Sequence, residues 1–446
     1  MALTGLDIYK LLPKTNCKKC GRPTCLAFAM QLAQKKANLS DCPDVSEEAK
    51  KVLGAAAAPP IKLVTVGSGA RQVQVGEENV LFRHEEKFYH PTGVAVTIDD
   101  DLSEAAFNDR LKKINSLKLT RVGTEIEIDL IAIINKSNAA DKFAEAAKKV
   151  SAGSHLNIIL SSASADNMKA ALQNCAEKRP LIHGAGAGNC EAMAALAQEK
   201  KCPMTVTAQA LEELTDLAER AKKAGVEEII LDVGGGNPKE VLQKLTKVRR
   251  LALKKNFRAL GFPMITFVCD EDPFQEIALA STYLLKYAGI VAVNACEPWA
   301  IMPLLTARTN IFTDPQKPIQ VEPRLYAVGD VKDDSPILFT TNFSLTYYTV
   351  EGEVESSRVP AYILSVDTGG TSVLTAYSGD KLNDKVVAKA MTDAQVDTKV
   401  KHKKLIIPGL VAVMSGKLQE TLGWEILVGP REASGLPSYL KTVWKA

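Results

Sequence analysis

The sequence predicts a multidomain α/β protein: a small cysteine-rich N-terminal module, a (β/α)8 TIM barrel and a C-terminal flavodoxin-like, doubly wound domain. Three observations support this prediction. Four of the nine cysteines lie within the first 42 residues. Eight short apolar runs alternate with polar, helix-like segments between residues 93 and 295. A shorter alternation follows a proline-rich stretch at residues 313–324, and 446 residues are enough for two or three domains.

Composition excludes several classes of protein. Hydrophobic residues make up 46% of the chain and charged residues 24%, which is typical of a globular protein. The net charge is only +3 and aromatic residues amount to 6%, so we expect no nucleic acid and no membrane as a partner. No apolar run approaches the roughly 20 residues of a membrane span, and the N-terminus lacks the apolar core of a signal peptide. We therefore predict a cytoplasmic protein, in which clustered cysteines indicate a metal rather than disulfides.

The N-terminal cysteines have the spacing C-x2-C-x4-C-x16-C, formed by Cys17, Cys20, Cys25 and Cys42. No histidine occurs in the first 83 residues, so cysteine would have to supply every ligand. Structural zinc sites usually combine two C-x2-C pairs, and only the first pair has that form here. A lone third cysteine and a final Cys42-Pro43 favour an iron–sulfur cluster. A structural zinc site is the alternative interpretation.

The sequence also predicts a helix within this module and a linker after it. The run "TCLAFAMQLAQKKA" predicts a helix with Cys25 in its first turn, where the positive end of the helix dipole favours a thiolate. The stretch "LGAAAAPPIK" at residues 53–62 has the composition of a semi-rigid linker. We therefore expect the module to be tethered and able to move as a unit.

The middle of the chain predicts a parallel barrel. Its strand-like runs are almost continuously apolar, as in strands that are buried on both faces, and eight strand–helix repeats fit a closed barrel better than an open sheet. The glycine-rich turns "HGAGAGN" and "DVGGGNP" complete neither a dinucleotide nor a P-loop motif, so we interpret them as tight turns. His183 is interpreted as a satisfied core histidine, and no catalytic residue is assigned. The predicted strands occupy residues 93–98, 128–134, 156–161, 180–184, 203–208, 228–233, 264–269 and 290–295.

The last third predicts a smaller doubly wound domain with strands at residues 337–342, 361–367, 404–409 and 425–430. Ligands of such domains bind at the carboxyl ends of the strands. The segments at those ends, "TTN", "DTGGTS", "PGL" and "GPREASG", are rich in glycine and hydroxyl side chains and poor in charge. Small residues let a large ligand approach the backbone, so we predict a ligand site at this edge of the sheet.

With these segments in view, the chain resembles the large subunit of the corrinoid iron–sulfur protein of the acetyl-CoA pathway. The four cysteines, the barrel, "PILFTTNFSLTYYTVEGE" and "SVDTGGTSVLTA" carry the resemblance. It implies a 4Fe–4S cluster on Cys17, Cys20, Cys25 and Cys42, and a cobalt-containing corrinoid in the C-terminal domain. The implied corrinoid contacts are Thr340, Thr346, Gly369, Gly370, Thr371, Ser372, Val373, Leu374, Gly429, Pro430, Ala433 and Ser434.

The resemblance also implies domains, partners and an activity. The domains would be a cluster domain at residues 1–57, a linker and barrel at 58–322, and a corrinoid-binding domain at 323–446. A small subunit with its own barrel would form a heterodimer with this chain and share the corrinoid. The family accepts a methyl group from methyltetrahydrofolate through a separate methyltransferase and delivers it to acetyl-CoA synthase/CO dehydrogenase. The chain would thus be a methyl carrier rather than a stand-alone enzyme.

The residues add one expectation about cobalt. The C-terminal domain has a single histidine, His402, and its neighbours do not fit the D-x-H-x-x-G motif that supplies a lower cobalt ligand in many corrinoid proteins. We therefore predict no protein histidine on cobalt, which makes Co(II) easier to reduce to Co(I). The cluster would then be an occasional electron donor that restores oxidised cobalt. The alternative is an iron–sulfur barrel enzyme, a methyltransferase or reductase, that acts at the barrel mouth.

Overall fold

A computed structural model describes residues 5–33, 37, 39–46, 49, 59–121, 124–314 and 318–445. The chain forms two compact units. The first contains the described residues up to Leu119 together with Ile126–Phe312, and the second contains Thr120–Glu125 and the described residues from Thr313 onward. Within the described ranges, no helix combines the length and the apolar character needed to cross a membrane.

The N-terminal residues build a small core of their own. Helix α1 (Gly5–Leu11) packs against helix α2 (Cys25–Ala33), and a 3-10 turn follows at Leu39–Asp41. Ile8, Phe28 and Ala29 are buried between them. Cys25 is the first residue of α2, as the sequence predicts.

A short hairpin that the sequence does not predict precedes the barrel. Strands β1 (Val64–Val66) and β2 (Val73–Val75) pair antiparallel. Their valines pack into the same core as the inward-facing barrel residues Leu130, Leu181 and Ile290. The hairpin therefore covers apolar side chains at the amino ends of the barrel strands.

The barrel is closed and parallel, and all eight strands predicted from the sequence are present. A second short hairpin, β4 (Lys118–Arg121) with β5 (Thr124–Glu127), lies outside it. The barrel strands are β3 (Gly93–Asp99), β6 (Leu130–Ile134), β7 (Asn157–Ser161), β8 (Leu181–Ala185), β9 (Met204–Thr207), β10 (Ile229–Asp232), β11 (Met264–Val268) and β12 (Ile290–Val293).

Helices surround this barrel, and their apolar faces pack on its outer surface. The crossovers follow the order that a (β/α)8 fold requires, since each strand of the barrel is followed by a helix. These helices are α3 (Glu104–Asn115), α4 (Ala140–Gly153), α5 (Ala165–Leu172), α6 (Cys190–Lys200), α7 (Leu211–Lys223), α8 (Pro238–Lys254), α9 (Pro273–Leu285) and α10 (Pro298–Phe312).

The second unit contains a five-stranded sheet in the order β13-β15-β14-β16-β17. Strands β14 to β17 are parallel, and β13 is antiparallel to β15 at one edge. Because side chains alternate along a strand, the sheet has two apolar faces, one containing Phe339 and Leu364 and the other Leu338 and Ile363. The strands are β13 (Leu325–Val328), β14 (Ile337–Thr341), β15 (Ala361–Val366), β16 (Lys404–Ile407) and β17 (Glu425–Val428).

Five helices cover the two faces of this sheet. The helical segment between β16 and β17 is interrupted: Gly409–Met414 forms a 3-10 segment in which Val411 has non-helical dihedral angles, and a regular helix begins only at Ser415. The helices of this unit are α11 (Ser344–Ser357), α12 (Val373–Ser378), α13 (Asp384–Asp393), α14 (Ser415–Leu422) and α15 (Leu436–Thr442).

A buried carboxyl group fixes the turn after the last barrel strand. Glu276 on α9 is 1% exposed. Its two carboxylate oxygens accept hydrogen bonds from the backbone N–H groups of Asn294 (2.6 Å) and Ala295 (2.8 Å). Burial raises the pKa of this carboxyl, and the two N–H donors oppose that rise only in part.

This raised pKa predicts a pH-dependent stability. Because the pKa of Glu276 is higher in the folded chain, the stability it contributes is complete below the ordinary value of 4.5 and is lost as the pH rises through the folded pKa. Glu276→Gln remains neutral, so its free energy of unfolding relative to the wild type should increase as the pH rises from below 4.5 towards neutrality. Urea unfolding across this pH series measures the trend, with Glu271→Gln on an exposed loop as control. A constant difference between wild type and Glu276→Gln would contradict the prediction.

Candidate functional sites

The four N-terminal cysteines lie around one small loop and the helix that follows it. Cys17 is exposed and Cys20 partly exposed on the loop before α2, whereas Cys25 at the start of α2 and Cys42 after the 3-10 turn are buried. Cys20, Cys25 and Cys42 belong to or pack against the same apolar cluster. Burial raises the pKa of the Cys42 thiol.

Every second residue between Lys14 and Lys18 has a left-handed backbone conformation. Lys14, Asn16 and Lys18 have φ values of 59°, 49° and 59°, and Gly21 has a φ of 73°. Left-handed conformations that alternate along a chain turn successive N–H groups toward one side, and such concave arrangements bind phosphates and iron–sulfur clusters. Three non-glycine residues in this conformation are costly, and strain of this kind is concentrated at functional sites.

Asn16 connects the loop directly to one of the cysteines. Its side-chain Oδ1 accepts a hydrogen bond from the Cys25 backbone N–H at 2.8 Å, and its own backbone N–H donates to Cys25 Sγ at 3.4 Å. N–H···S contacts are among the factors that set the potential of an iron–sulfur cluster. The loop thus places a backbone N–H donor on a cysteine sulfur, a contact that would tune the potential of a bound cluster.

Asp44 and Lys19 lie beside Cys17. The Cys17 thiol donates to an Asp44 carboxylate oxygen at 3.5 Å, and Lys19 Nζ lies 3.0 Å from the same side chain. The hydrogen bond from Lys19 lowers the pKa of Asp44. In the described part of the chain, no three His, Cys, Asp or Glu side chains meet closely enough to hold a metal ion. The donor set itself, four thiols on a loop with alternating left-handed residues, fits an iron–sulfur cluster.

The second site is a cavity of about 310 Å³ in the C-terminal unit. It opens at the carboxyl ends of β14, β16 and β17, and its wall is one face of α11, formed by Leu345, Thr346, Thr349 and Val350. Its volume lies within the usual range for small-molecule pockets, at the lower end. The other lining residues are Leu338, Phe339, Thr340, Val373, Ile406, Ile407, Pro408, Leu410, Gly429, Pro430, Arg431, Glu432, Ala433 and Leu436.

A hydroxyl group in this cavity has no hydrogen-bond partner. Thr340 is 1% exposed and lines the cavity, yet its Oγ1 is unpaired. Ser365, its register partner on β15, also has a buried, unpaired hydroxyl and lies on the same face of the sheet. Leaving a buried hydroxyl unpaired costs about 1–3 kcal/mol. Thr340 therefore fits a ligand that brings a polar atom into the cavity, whereas Ser365 lies outside the cavity lining.

The predicted corrinoid contacts fall into two groups. Those that line the cavity are Thr340, Thr346, Val373, Gly429, Pro430 and Ala433. Those outside its lining are Gly369, Gly370, Thr371 and Ser372 on the loop after β15, Leu374 in the first turn of α12, and Ser434 in the 3-10 turn that ends at Gly435.

The sequence interpretation missed the helical wall and one buried amide. Leu345 and Thr349 on α11 line the cavity at a spacing of four residues, a signal that the helical period could have supplied. Asn342, at the end of β14, is fully buried and accepts hydrogen bonds from the N–H groups of Thr368 and Gly370, both at 3.0 Å. No sequence pattern indicates these partners, which lie 26 and 28 residues away.

His402 lies at the opposite end of the sheet from the cavity. It precedes the amino end of β16, where its Nε2 donates to the Ser335 carbonyl at 2.8 Å and its Nδ1 accepts from the Lys404 N–H at 3.3 Å. The Trp444 ring packs edge-on against the imidazole. Both ring nitrogens therefore have partners within the protein.

The barrel contains a hydrogen-bonded histidine at the carboxyl ends of its strands. His183 Nε2 lies 3.0 Å from an Asp232 carboxylate oxygen, and its Nδ1 lies 2.8 Å from Ser161 Oγ. Phe267 packs against the ring, with the centroids 4.4 Å apart. Both ring nitrogens of His183 have partners in the protein, while the ring itself is not fully buried, since the side chain is 12% exposed.

Two family models match this chain. The model described as "CO dehydrogenase/acetyl-CoA synthase delta subunit" matches residues 63–440. A second model, described as "Putative Fe-S cluster", matches residues 12–43, which include all four N-terminal cysteines.

The relatives match the chain over nearly its whole length. The corrinoid/iron-sulfur protein large subunit of Moorella thermoacetica is 45% identical over 99% of both chains. The acetyl-CoA decarbonylase/synthase complex subunit gamma of Methanothermobacter thermautotrophicus is 39% identical over 99% of both chains. The corresponding subunit of Methanopyrus kandleri is 35% identical over 98% of this chain and 97% of its own. This chain belongs to the family of corrinoid/iron–sulfur protein large subunits and acetyl-CoA decarbonylase/synthase gamma subunits.

Proposed function

We propose that this chain is the cofactor-carrying large subunit of a corrinoid methyl carrier. The main support is the full-length identity to a relative named for both a corrinoid and an iron–sulfur cluster, in a chain that has one candidate site for each. We assign the cluster to residues 1–57, a linker and the barrel to residues 58–322, and the corrinoid to residues 323–446.

The C-terminal cavity is the proposed corrinoid site. A bound corrinoid would supply a cobalt that receives a methyl group from methyltetrahydrofolate through a separate methyltransferase and delivers it to acetyl-CoA synthase. The protein side chains bind and orient the group. Apolar residues such as Leu345 and Ile407 exclude water from the cavity, while the unpaired hydroxyl of Thr340 provides a hydrogen bond. The Gly369–Gly370 turn lets the loop backbone approach a large ligand.

We further propose that no histidine of this chain binds cobalt. His402 is the only histidine of the C-terminal domain. Both of its nitrogens bond to the polypeptide at the amino end of β16, whereas the cavity opens at the carboxyl ends of the strands. Its position and its hydrogen bonds therefore keep it from acting as an axial ligand.

The N-terminal module is the proposed 4Fe–4S site, with Cys17, Cys20, Cys25 and Cys42 as ligands. A bound cluster would supply the single low-potential electron that returns oxidised Co(II) to Co(I). The loop residues hold the cysteines in place, because Asn16 fixes Cys25 through two hydrogen bonds. The predicted linker at residues 53–62 lies largely outside the described residues.

The partners follow from the family. Relatives are named as subunits of an acetyl-CoA decarbonylase/synthase complex, which supports a complex with a small corrinoid protein subunit and with acetyl-CoA synthase/CO dehydrogenase. The methyltransferase is a third proposed partner, and the cytoplasm is the proposed location.

One observation favours a second candidate, an iron–sulfur enzyme acting at the barrel mouth. Ser161, His183 and Asp232 form a hydrogen-bonded chain at the end of the barrel where enzymes of this fold place their active sites. Purified protein with its small subunit distinguishes the two. Bound cobalt supports the carrier, whereas turnover of a small substrate without cobalt or added cobamide would support the enzyme.

Thr340→Val tests the cavity. The variant keeps the shape of the side chain but removes the unpaired hydroxyl, so the affinity for cobalamin should fall about tenfold through loss of one buried hydrogen bond. Thr341→Val is the matched control, because Thr341 also has a buried, unpaired hydroxyl but faces away from the cavity. Spectrophotometric titration of the heterodimer measures both affinities. Equal losses in the two variants would contradict this role of Thr340.

Cys20→Ala tests the electron-donor role. Iron content should fall and reductive activation of Co(II) should stop, while methyl transfer from cobalt already reduced to Co(I) should continue at the wild-type rate. Cys269→Ala, at an exposed cysteine of the barrel unit, should change neither property. Loss of both activities in a folded Cys20→Ala protein would mean that the cluster takes part in every turnover.

Electron paramagnetic resonance of the Co(II) state tests the histidine prediction. The wild-type spectrum should lack hyperfine splitting from an axial nitrogen, and His402→Ala should leave the spectrum unchanged. A nitrogen splitting that disappears in His402→Ala would identify His402 as the ligand and overturn the prediction.

A further inference from the structure

Asn342 connects two segments that are distant in sequence. Its Oδ1 accepts hydrogen bonds from the N–H groups of Thr368 and Gly370, and its Nδ2 donates to Asp367 Oδ1 at 3.0 Å. The same Nδ2 donates to Gln320 Oε1, also at 3.0 Å. One fully buried amide thus holds both the loop at residues 367–371 and the segment at residues 319–321, which we call the lead segment.

The loop depends on these contacts because its own backbone is permissive. Gly369 and Gly370 have φ values of 65° and 72°, a conformation that glycine adopts without steric cost but does not hold by itself. A Cβ atom built on Gly370 would lie 2.6 Å from Gln320 Cγ. The Gln320 side chain therefore packs directly on the glycine turn and limits its conformations.

The lead segment is itself attached to the end of β14. The Val321 N–H donates to the Asn342 carbonyl at 2.9 Å, and the Ser344 N–H donates to the Ile319 carbonyl at 3.0 Å. Gln320 and Phe343 form the isolated antiparallel bridge between these hydrogen bonds. If this pairing opens, Gln320 moves away from both Asn342 and Gly370.

We propose that Gln320 and Asn342 are positioning residues that couple the order of the lead segment to the conformation of the corrinoid loop. This inference rests on the proposed corrinoid site. A corrinoid that binds the ordered loop favours the state in which the lead segment is paired with the end of β14. By thermodynamic linkage, opening this pairing weakens corrinoid binding by the same factor. Neither residue needs to touch the corrinoid for this effect.

Gln320→Ala removes the side chain that joins the lead segment to the loop while leaving the backbone pairing possible. We expect its affinity for hydroxocobalamin, measured with the full chain and its small subunit, to fall about tenfold. Gln419→Ala, on the exposed surface of α14, should bind as the wild type does. Asn342→Asp places a carboxylate against Asp367 and Gln320 Oε1, so the loss should be larger than in Gln320→Ala.

Amide hydrogen exchange separates this coupling from a general loss of stability. In the wild type, hydroxocobalamin should slow exchange at the Val321 and Ser344 amides, and in Gln320→Ala the same cobalamin should no longer do so. The inference is overturned if the wild type binds cobalamin but these two amides do not respond to it, or if Gln320→Ala binds with unchanged affinity. A wild-type heterodimer that binds no cobalamin at all would instead refute the proposed function.

Discussion

The constraint on which both units depend is that their strands are apolar on both faces. A strand such as β7 has buried residues on the inner and the outer side of the sheet, so neither face can be left to water. In the first unit the sheet closes into a barrel, so its inner face is buried, and helices cover its outer face. The second keeps the sheet open and covers both faces with helices. In both cases the strand ends and the loops are left to carry polar groups, and in the second unit Thr346 and Thr349 of α11 add to them.

This constraint also explains which features the sequence predicts well. Runs such as Leu130–Ile134 and Ile290–Val293 are apolar without interruption, so all eight barrel strands could be placed within about two residues. The hairpin β1–β2 was missed because strands of three residues have no readable period, although Val64 and Val75 are as buried as the barrel core. Strand β13 was missed for a similar reason, since it has four residues at the edge of the sheet and only Val328 among them is buried.

The sites could be predicted only where the chemistry depends on residue type. Four cysteines in a short stretch indicate a metal wherever the chain places them. Of the glycine- and hydroxyl-rich strand ends, "TTN" and "GPREASG" contribute residues to the cavity lining, whereas residues 369–372 of "DTGGTS" do not. The roles of Asn16 and Asn342 could not be predicted, because each depends on hydrogen-bond partners that folding alone brings close. Thr349 and Leu436 also line the cavity. They lie on helices α11 and α15, and no local sequence pattern predicts how these helices are oriented on the sheet.

The left-handed residues of the cysteine loop bear on how the cofactor is installed. Lys14, Asn16 and Lys18 adopt a conformation that costs L-residues about 1–2 kcal/mol each, and the contacts of Asn16 with Cys25 help to hold it. The folded chain therefore carries its thiols on a strained loop, although in the described residues no three of them lie close enough to hold a metal ion. A cluster bound there would have to draw the thiols together, and its binding energy would then also stabilise the left-handed turns.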